Sequence, residues 1–176
     1  MFSFRIFALA SVIAVLAPCS LARPKTPCPI ESRSASDIIK ELGLTPNIEK
    51  GFYTQTFEST EKFSSNRSLS TAIYYLLEGS AGPSIWHRLD AAEVWHYYAG
   101  APLTLSLSYD DGTPIEEVVL GPDIFDTQQP QIVIAKNQWQ RATSHGRWSL
   151  VGTTTAPGFV EAGLELGEPD WMPRTA

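Results

Sequence analysis

The sequence has 176 residues, of which 43% are hydrophobic and 18% charged, and its formal net charge at neutral pH is -6. A chain of this length supports one hydrophobic core, so we expect a single domain. Its acidic balance, without clustered lysine or arginine, argues against nucleic acid as a partner, because phosphate binding depends on such clusters.

The first 22 residues are predicted to be a signal peptide. Arg5 precedes an apolar run from Ile6 to Leu16, and the small residues Ser20 and Ala22 stand at the -3 and -1 positions of a signal peptidase site. The run is shorter than the about 20 residues that span a membrane. We therefore expect a protein of the secretory lumen or the outside of the cell, with no membrane attachment after cleavage.

Two features of the chain follow from predicted secretion. After cleavage only Cys28 remains, and one cysteine forms no disulfide within the chain, so stability must come from the core. Asn66, in Asn66-Arg67-Ser68, is an N-glycosylation sequon and is expected on a surface loop.

An arm and one helix come next along the chain. Residues 23–34 are rich in proline and charge and predict a flexible arm. The stretch SASDIIKELGL repeats apolar residues at helical spacing, with Ser34 or Ser36 as the capping residue and Gly43 at the end. One short helix is expected there.

Downstream of Pro46 the pattern is that of short strands. Alternating or β-branched and aromatic segments cover residues 51–57, 70–77, 93–100, 102–112, 115–121, 130–135, 147–156 and 159–166. Strands with turn signals about every 8–12 residues predict an all-β sandwich or barrel. In one of them leucine alternates with threonine or serine, so we expect one buried face formed by Leu103, Leu105 and Leu107.

The stretch WHRLDAAEVWHYYAG, residues 86–100, concentrates the polar residues that suit chemistry. Alternation along a strand at 93–99 places one set of side chains on one face (Glu93, Trp95, Tyr97) and another on the opposite face (Val94, His96, Tyr98). His87 joins Glu93 if both point inward. A histidine and a carboxylate beside aromatic rings in a barrel predict a small-molecule site.

Two motifs here resemble those of the cupins. His87-x-Leu89-x3-Glu93-x6-Gly100 is similar to the first cupin motif, His-x-His-x3-Glu-x6-Gly, with leucine at the second histidine. The segment from Ala135 to Gln140 is similar to the second, Pro-x-Gly-x2-His, with all three defining residues replaced. The resemblance implies a single cupin β-barrel, a jelly roll of two antiparallel sheets preceded by a short helix, over residues 35–170.

Segments from about residue 37 to residue 167 resemble, in order, the cupin subfamily long catalogued as a domain of unknown function, which is related to the epimerase-like cupins. One departure is Lys50, where that subfamily usually has a glycine, and we expect it to alter a loop only. The resemblance also implies a homodimer.

The resemblance bears on metal binding as well. The positions that hold metal in many cupins are occupied here by His87, Leu89, Glu93 and Gln140. Leucine does not ligate metals and a glutamine carbonyl is a weak ligand for transition metals. We therefore expect no metal or other cofactor, and keep His87, Glu93 and Gln140 as weak metal candidates and a metal-dependent oxygenase as an alternative.

The preferred function is proton transfer without a metal. His87 and Glu93 can move a proton on and off a ligand near neutral pH, and epimerase-like cupins use a histidine and a tyrosine in this way. The resemblance thus implies an isomerase, epimerase or cyclase with His87, Glu93 and Tyr97 as catalytic residues.

The second possibility is a protein that binds a sugar-like molecule without transforming it. Aromatic surface and hydrogen-bonding groups hold such ligands, and the candidate ligand-binding residues are Trp95, Trp139, Gln140 and Tyr74. Trp148 and Tyr75 are expected to pack in the core, as aromatic residues of strands commonly do.

Overall fold

The computed structural model describes residues 29–175. The predicted signal peptide, residues 23–28 of the predicted arm and Cys28 lie outside the described residues, and secretion stays a prediction. Across the part that is described, no helix combines the length and the hydropathy needed to cross a membrane.

The described residues form one α-helix, three 3-10 turns and many short strands. Helix α1 is Ala35–Leu42, and the 3-10 turns are Ile30–Ser32, Gly79–Ala81 and Glu161–Gly163. The strands are β1 (Thr45–Pro46), β2 (Phe52–Glu58), β3 (Lys62–Ser64), β4 (Arg67–Ser68), β5 (Thr71–Glu78), β6 (His87–Leu89), β7 (Ala92–Gly100), β8 (Leu103–Ser108), β9 (Glu116–Leu120), β10 (Gln128–Gln129), β11 (Gln131–Ile134), β12 (Trp139–Ser144), β13 (Trp148–Ala156) and β14 (Leu164–Leu166).

Helix α1 begins and ends at residues that the sequence indicated. Ser34 caps the start: its hydroxyl oxygen accepts from the backbone N–H of Asp37, whose carboxylate accepts from the backbone N–H of Ser34. Gly43 ends the helix in the left-handed region at φ 64. Just before the helix, the carbonyl of Arg33 accepts a 3.0 Å hydrogen bond from Trp148 Nε1, which joins this end of the predicted arm to β13.

Most strands belong to two six-stranded sheets. Sheet I has the order β1-β2-β5-β13-β7-β11 and sheet II the order β10-β9-β8-β12-β6-β14. The pairings within them are antiparallel, apart from the parallel pair β9 and β10. This arrangement confirms the predicted all-β jelly roll with a short N-terminal helix. Homodimer formation stays a prediction.

The main core lies between the two sheets. Leu103, Leu105 and Leu107 of sheet II are 0%, 0% and 4% exposed, which confirms the predicted leucine face. They share one buried cluster with residues of sheet I, among them Tyr75 and Trp95. A second cluster packs α1 against the outer face of sheet I.

Trp148 belongs to that second cluster, together with Ile38, Leu76 and Leu150. The expected core positions of Trp148 and Tyr75 are therefore confirmed.

Strands β3 and β4 form a separate hairpin. Asn66 is exposed at its turn, which confirms the expected surface position, and glycosylation stays a prediction. The hairpin is attached to the barrel by Arg67, whose guanidinium donates to both carboxylate oxygens of Asp90 at 2.8 and 2.7 Å and to the carbonyl of Gly158.

Candidate functional site

A cavity of about 230 Å³ opens among β2, β5, β6, β7 and β13, beside the loop that follows β1. Its lining includes carboxylates, one imidazole and aromatic rings: Glu49, Glu93, Glu161, His87, Tyr53, Tyr75, Trp95 and Phe159. The cavity thus combines ionisable groups with apolar surface, which is the usual composition of a small-molecule site.

Four of the predicted site residues meet at the inner end of this cavity. Gln140 of β12 lies directly opposite His87 of β6 in sheet II, and its Nε2 donates to Oε2 of Glu93 in sheet I at 2.7 Å. Trp95 Nε1 donates to Oε1 of Gln140 at 2.9 Å and to Oε2 of Glu93 at 3.2 Å. This hydrogen-bonded network joins the two sheets, with His87 and Glu93 facing the cavity and Gln140 buried behind them.

A second pair of ionisable groups adjoins the network. His87 Nε2 lies 3.5 Å from Oε2 of Glu49, and its Nδ1 lies 3.1 Å from the carbonyl oxygen of Ile85. A carbonyl oxygen only accepts hydrogen bonds, so Nδ1 carries a proton whatever the charge of the ring. Nε2 is therefore the ring nitrogen that faces Glu49, and in the neutral ring it is free to accept a proton.

The environment of Glu49 favours its protonated form. Burial raises the pKa of the Glu49 carboxyl, and the nearby carboxylate of Glu93 raises it further. His87 and a hydrogen bond from Asn47 oppose this shift without cancelling it. The shift moves the carboxyl towards the range in which an imidazole titrates, which suits exchange of a proton between the two groups.

Tyr75 borders the same cavity but its hydroxyl is already bonded. The hydroxyl donates to the carbonyl oxygen of Lys50 at 3.1 Å. Burial, followed by the charges of Glu49 and Glu93, raises the pKa of Tyr75 far above its ordinary value. Tyr75 therefore forms part of the cavity wall and does not supply a proton to a ligand.

A family comparison places this geometry among known proteins. The family model described as Cupin superfamily (DUF985) matches residues 36–167. The chain belongs to this cupin family. A comparison with curated proteins gives no match.

Solved structures of similar proteins agree with this assignment. Protein SO0799 from Shewanella oneidensis is 33% identical, with a TM-score of 0.73 over 77% of this chain and 85% of its own. A hypothetical protein from Leishmania major is 26% identical, with a TM-score of 0.69 over 76% of this chain and 86% of its own.

The capsular polysaccharide assembling protein CapF from Staphylococcus aureus is only 9% identical, with a TM-score of 0.54 over 71% of this chain and 34% of its own. At such low identity the likeness concerns the fold alone. The fold is thus shared with a protein of very different sequence.

The segment that resembles the second cupin motif forms a tight turn at Asn137. Asn137 stands where the motif has glycine, and its φ of 63 lies in the left-handed region, which asparagine tolerates better than most residues. Its backbone N–H donates to the carbonyl of Leu89 at 2.8 Å. The turn thereby brings β12, and with it Gln140, against β6.

The metal-ligand positions of cupins do not fit a metal here. Leu89 presents only hydrocarbon to the cavity, and Oε1 of Gln140 already accepts from the indole of Trp95. Oε2 of Glu93 accepts two hydrogen bonds. Within residues 29–175, no three histidine, cysteine, aspartate or glutamate side chains are grouped as metal ligands. The donor set that the family resemblance implies is therefore incomplete.

Two of the predicted ligand-binding residues face away from the cavity, which corrects the expectation that they line it. Tyr74 points to the outer face of sheet I, where its ring meets that of Tyr98 edge-on at 5.7 Å. Trp139 lies on the outer face of sheet II and packs against Trp171, with the two ring centroids 4.1 Å apart. The reason is the two-residue period of strands: Tyr75 and Gln140, the next residues, occupy the inner faces.

Tyr97 is also placed differently from the expectation. It shares the inner face of β7 with Glu93 and Trp95, as alternation predicted, and packs against the main core. However, it is four residues beyond Glu93, or about 13 Å along the strand, and is not among the lining residues. Its hydroxyl donates to the carbonyl oxygen of Gly100 at 2.6 Å, so it is not available to a ligand in the cavity.

Glu49 is the ionisable cavity residue that sequence reasoning missed. It lies in the loop between β1 and β2, where Oδ1 of Asn47 accepts from its backbone N–H at 3.2 Å. Lys50 and Gly51 follow with φ of 78 and 71, so the chain turns sharply there. Asparagine and glycine signal a turn, but nothing in the pattern indicates that the carboxylate between them points at His87.

Proposed function

We propose that this protein binds a small molecule in the cavity and moves protons on and off it without a metal, as an isomerase, epimerase or cyclase. The observation that carries the proposal is the Glu49–His87 pair, whose Oε2 and Nε2 lie 3.5 Å apart at the cavity wall. The cavity is smaller than the about 300–1,000 Å³ typical of sites for drug-sized ligands. A ligand of roughly one sugar-like ring suits it.

Each group has a distinct role in this proposal. Ile85 orients the imidazole through Nδ1, so that Nε2 of His87 accepts a proton from a carbon next to a carbonyl group of the ligand. The raised pKa of Glu49 favours its protonated form, in which the carboxyl donates a proton back to the ligand. When the proton that His87 gained passes to Glu49, the protein returns to its starting state and the ligand is an isomer.

A non-catalytic binding protein is the alternative that a specific observation favours. The hydroxyls of Tyr75 and Tyr97 both donate to backbone carbonyls, so neither serves as the tyrosine partner used by epimerase-like cupins. The rings of Tyr75 and Trp95 still offer binding surface in the cavity. The metal-dependent oxygenase is not proposed further, since the ligand set does not fit a metal.

Hydrogen–deuterium exchange tests the catalytic proposal. Protein dialysed against EDTA is incubated in D₂O with glucose, glucosamine or glucuronate, and the C2–H signal of each sugar is followed by proton NMR. We expect exchange in at least one of them, and a rate lower by about 10²–10⁴ in His87→Gln and in Glu49→Gln, as for the loss of a general acid or base.

His145→Gln is the matched control. This imidazole is exposed, bonds to Thr104 and is absent from the cavity lining, so the exchange rate should not change. Exchange that survives His87→Gln, or that EDTA abolishes, would contradict the mechanism. A sugar that binds without exchanging would favour the binding protein.

A further inference from the structure

The cavity lacks positive charge to balance its carboxylates. Among its lining residues, all within the described chain, none is lysine or arginine, and His87 is the one basic side chain. Three glutamates, Glu49, Glu93 and Glu161, stand beside this single imidazole in the lining. Acidic side chains in the lining therefore outnumber basic ones by three to one.

The hydrogen-bond partners of Glu93 do not compensate its charge. Gln140 and Trp95 donate through neutral N–H groups. Lys50, which is next to Glu49 in the chain, directs its ammonium group away, to the carbonyl of Ala81 at 3.2 Å. The negative potential is also felt by the neighbouring groups, since the charge of Glu93 contributes to the raised pKa of both Glu49 and Tyr75.

Aromatic rings form the other part of the wall. Trp95 and Tyr75 lie 5.8 Å apart with their planes at 82°, so they form two nearly perpendicular surfaces. Tyr53 and Phe159, which are 37% and 40% exposed, extend this surface towards solvent. Aromatic rings beside uncompensated carboxylates attract organic cations through both charge and cation–π interaction.

We propose that the ligand of this cavity carries a positive charge: a small molecule with an ammonium or other onium group, seated against the carboxylate of Glu93 and the rings of Trp95 and Tyr75. The inference rests on the proposed function only in assuming that the same cavity holds the ligand. It narrows the ligand class, because the same charges repel phosphate-bearing and carboxylate-bearing molecules.

Three molecules of nearly equal shape test this charge preference. Choline is a cation, 3,3-dimethylbutan-1-ol is its neutral carbon analogue, and 3,3-dimethylbutanoate is an anion of similar size. Their dissociation constants are measured from the NMR shift of the Trp95 indole proton, which lies at the cavity wall. We expect choline to bind about tenfold more tightly than the neutral alcohol, and the anion to bind most weakly.

Charge-removing variants locate the effect. Glu93→Gln should reduce the ratio of the choline and alcohol affinities by about tenfold, while Glu116→Gln, which removes an exposed charge on β9, should leave it unchanged. Circular dichroism checks that Glu93→Gln is folded. If it is not, Glu161→Gln is used, because Glu161 is exposed and lies on a 3-10 turn, and a two- to threefold reduction is expected.

The outcomes separate this inference from the proposed function. Choline affinity no better than that of the neutral alcohol, including no detectable binding of either, overturns the cationic ligand while the exchange experiment still tests His87 and Glu49. A choline preference that Glu116→Gln lowers as much as Glu93→Gln does would also overturn it. A choline preference that only the cavity variants lower, without proton exchange on any sugar, supports a protein that binds cations without transforming them.

Discussion

Replacing Gln140 by glutamate tests the network at the inner end of the cavity. The amide Nε2 lies 2.7 Å from Oε2 of Glu93, and the two side chains are 1% and 6% exposed. The introduced carboxyl has nearly the size of the amide. Protonated, it donates to Glu93 as the amide does; ionised, it brings a second buried negative charge into contact with the first.

The expected loss of stability follows from proton linkage. The folded variant retains one proton between the two carboxyls, whereas the unfolded chain releases it near the ordinary glutamate pKa of about 4.3. The folded state therefore binds more protons, and the free energy of unfolding falls by about 1.4 kcal/mol per pH unit above that value. Gln140→Glu should match the wild type near pH 4 and be less stable by at most about 3.7 kcal/mol at pH 7.

Urea denaturation followed by tryptophan fluorescence measures this difference between about pH 4 and pH 7. Gln129→Glu is the control, since Gln129 is exposed on β10 and its variant should run parallel to the wild type. Two results would refute the reasoning: equal stability of Gln140→Glu and wild type at pH 7, or a difference between them that does not change with pH. Either would mean that the amide does not donate into the carboxylate of Glu93.

Three further predictions concern neighbouring residues. Burial raises the pKa of Glu49, so its contribution to the free energy of unfolding falls as the pH rises above the ordinary glutamate value; Glu49→Gln should remove this contribution in urea denaturation across the same pH range. Lys50 has a φ of 78, in the left-handed region that favours glycine, so Lys50→Gly should raise the free energy of unfolding by about 0.5–1 kcal/mol. Lys50→Ala keeps Cβ and loses the bond to Ala81, so it should not raise the free energy of unfolding. Leu89→His combined with Gln140→His restores the histidines of the cupin motif and should bind Ni²⁺ in equilibrium dialysis more tightly than wild type does.

Strand alternation made half of the site predictable. The sequence pattern of β7 correctly separated Glu93 and Trp95 on the inner face from Val94 and His96. The motif spacing also indicated that His87 would meet Glu93, and the structure brings both to the cavity. These predictions succeeded because a period of two fixes relative directions within one strand.

The same argument does not decide which of two adjacent aromatic residues faces the inside of the barrel. Tyr74 and Tyr75 must face opposite sides of sheet I, but only the packing of α1 on the outer face decides which one faces inward. The predicted ligand contact of Trp139 contradicted the two-residue period of a strand, because a strand that turns Gln140 inward must turn Trp139 outward.

Gln140, which stands where many cupins have a metal-binding histidine, donates one of the two hydrogen bonds that Oε2 of Glu93 accepts. Where a cupin holds a metal, the cation compensates the carboxylate; here the amide of Gln140 and the indole of Trp95 supply hydrogen bonds instead, which satisfy the oxygen without supplying positive charge. Leu89 removes a further ligand and leaves apolar surface. At two positions that hold metal in many cupins this chain thus has the neutral side chains of Leu89 and Gln140, and the cationic ligand proposed above would pair with Glu93 as a metal does in those proteins.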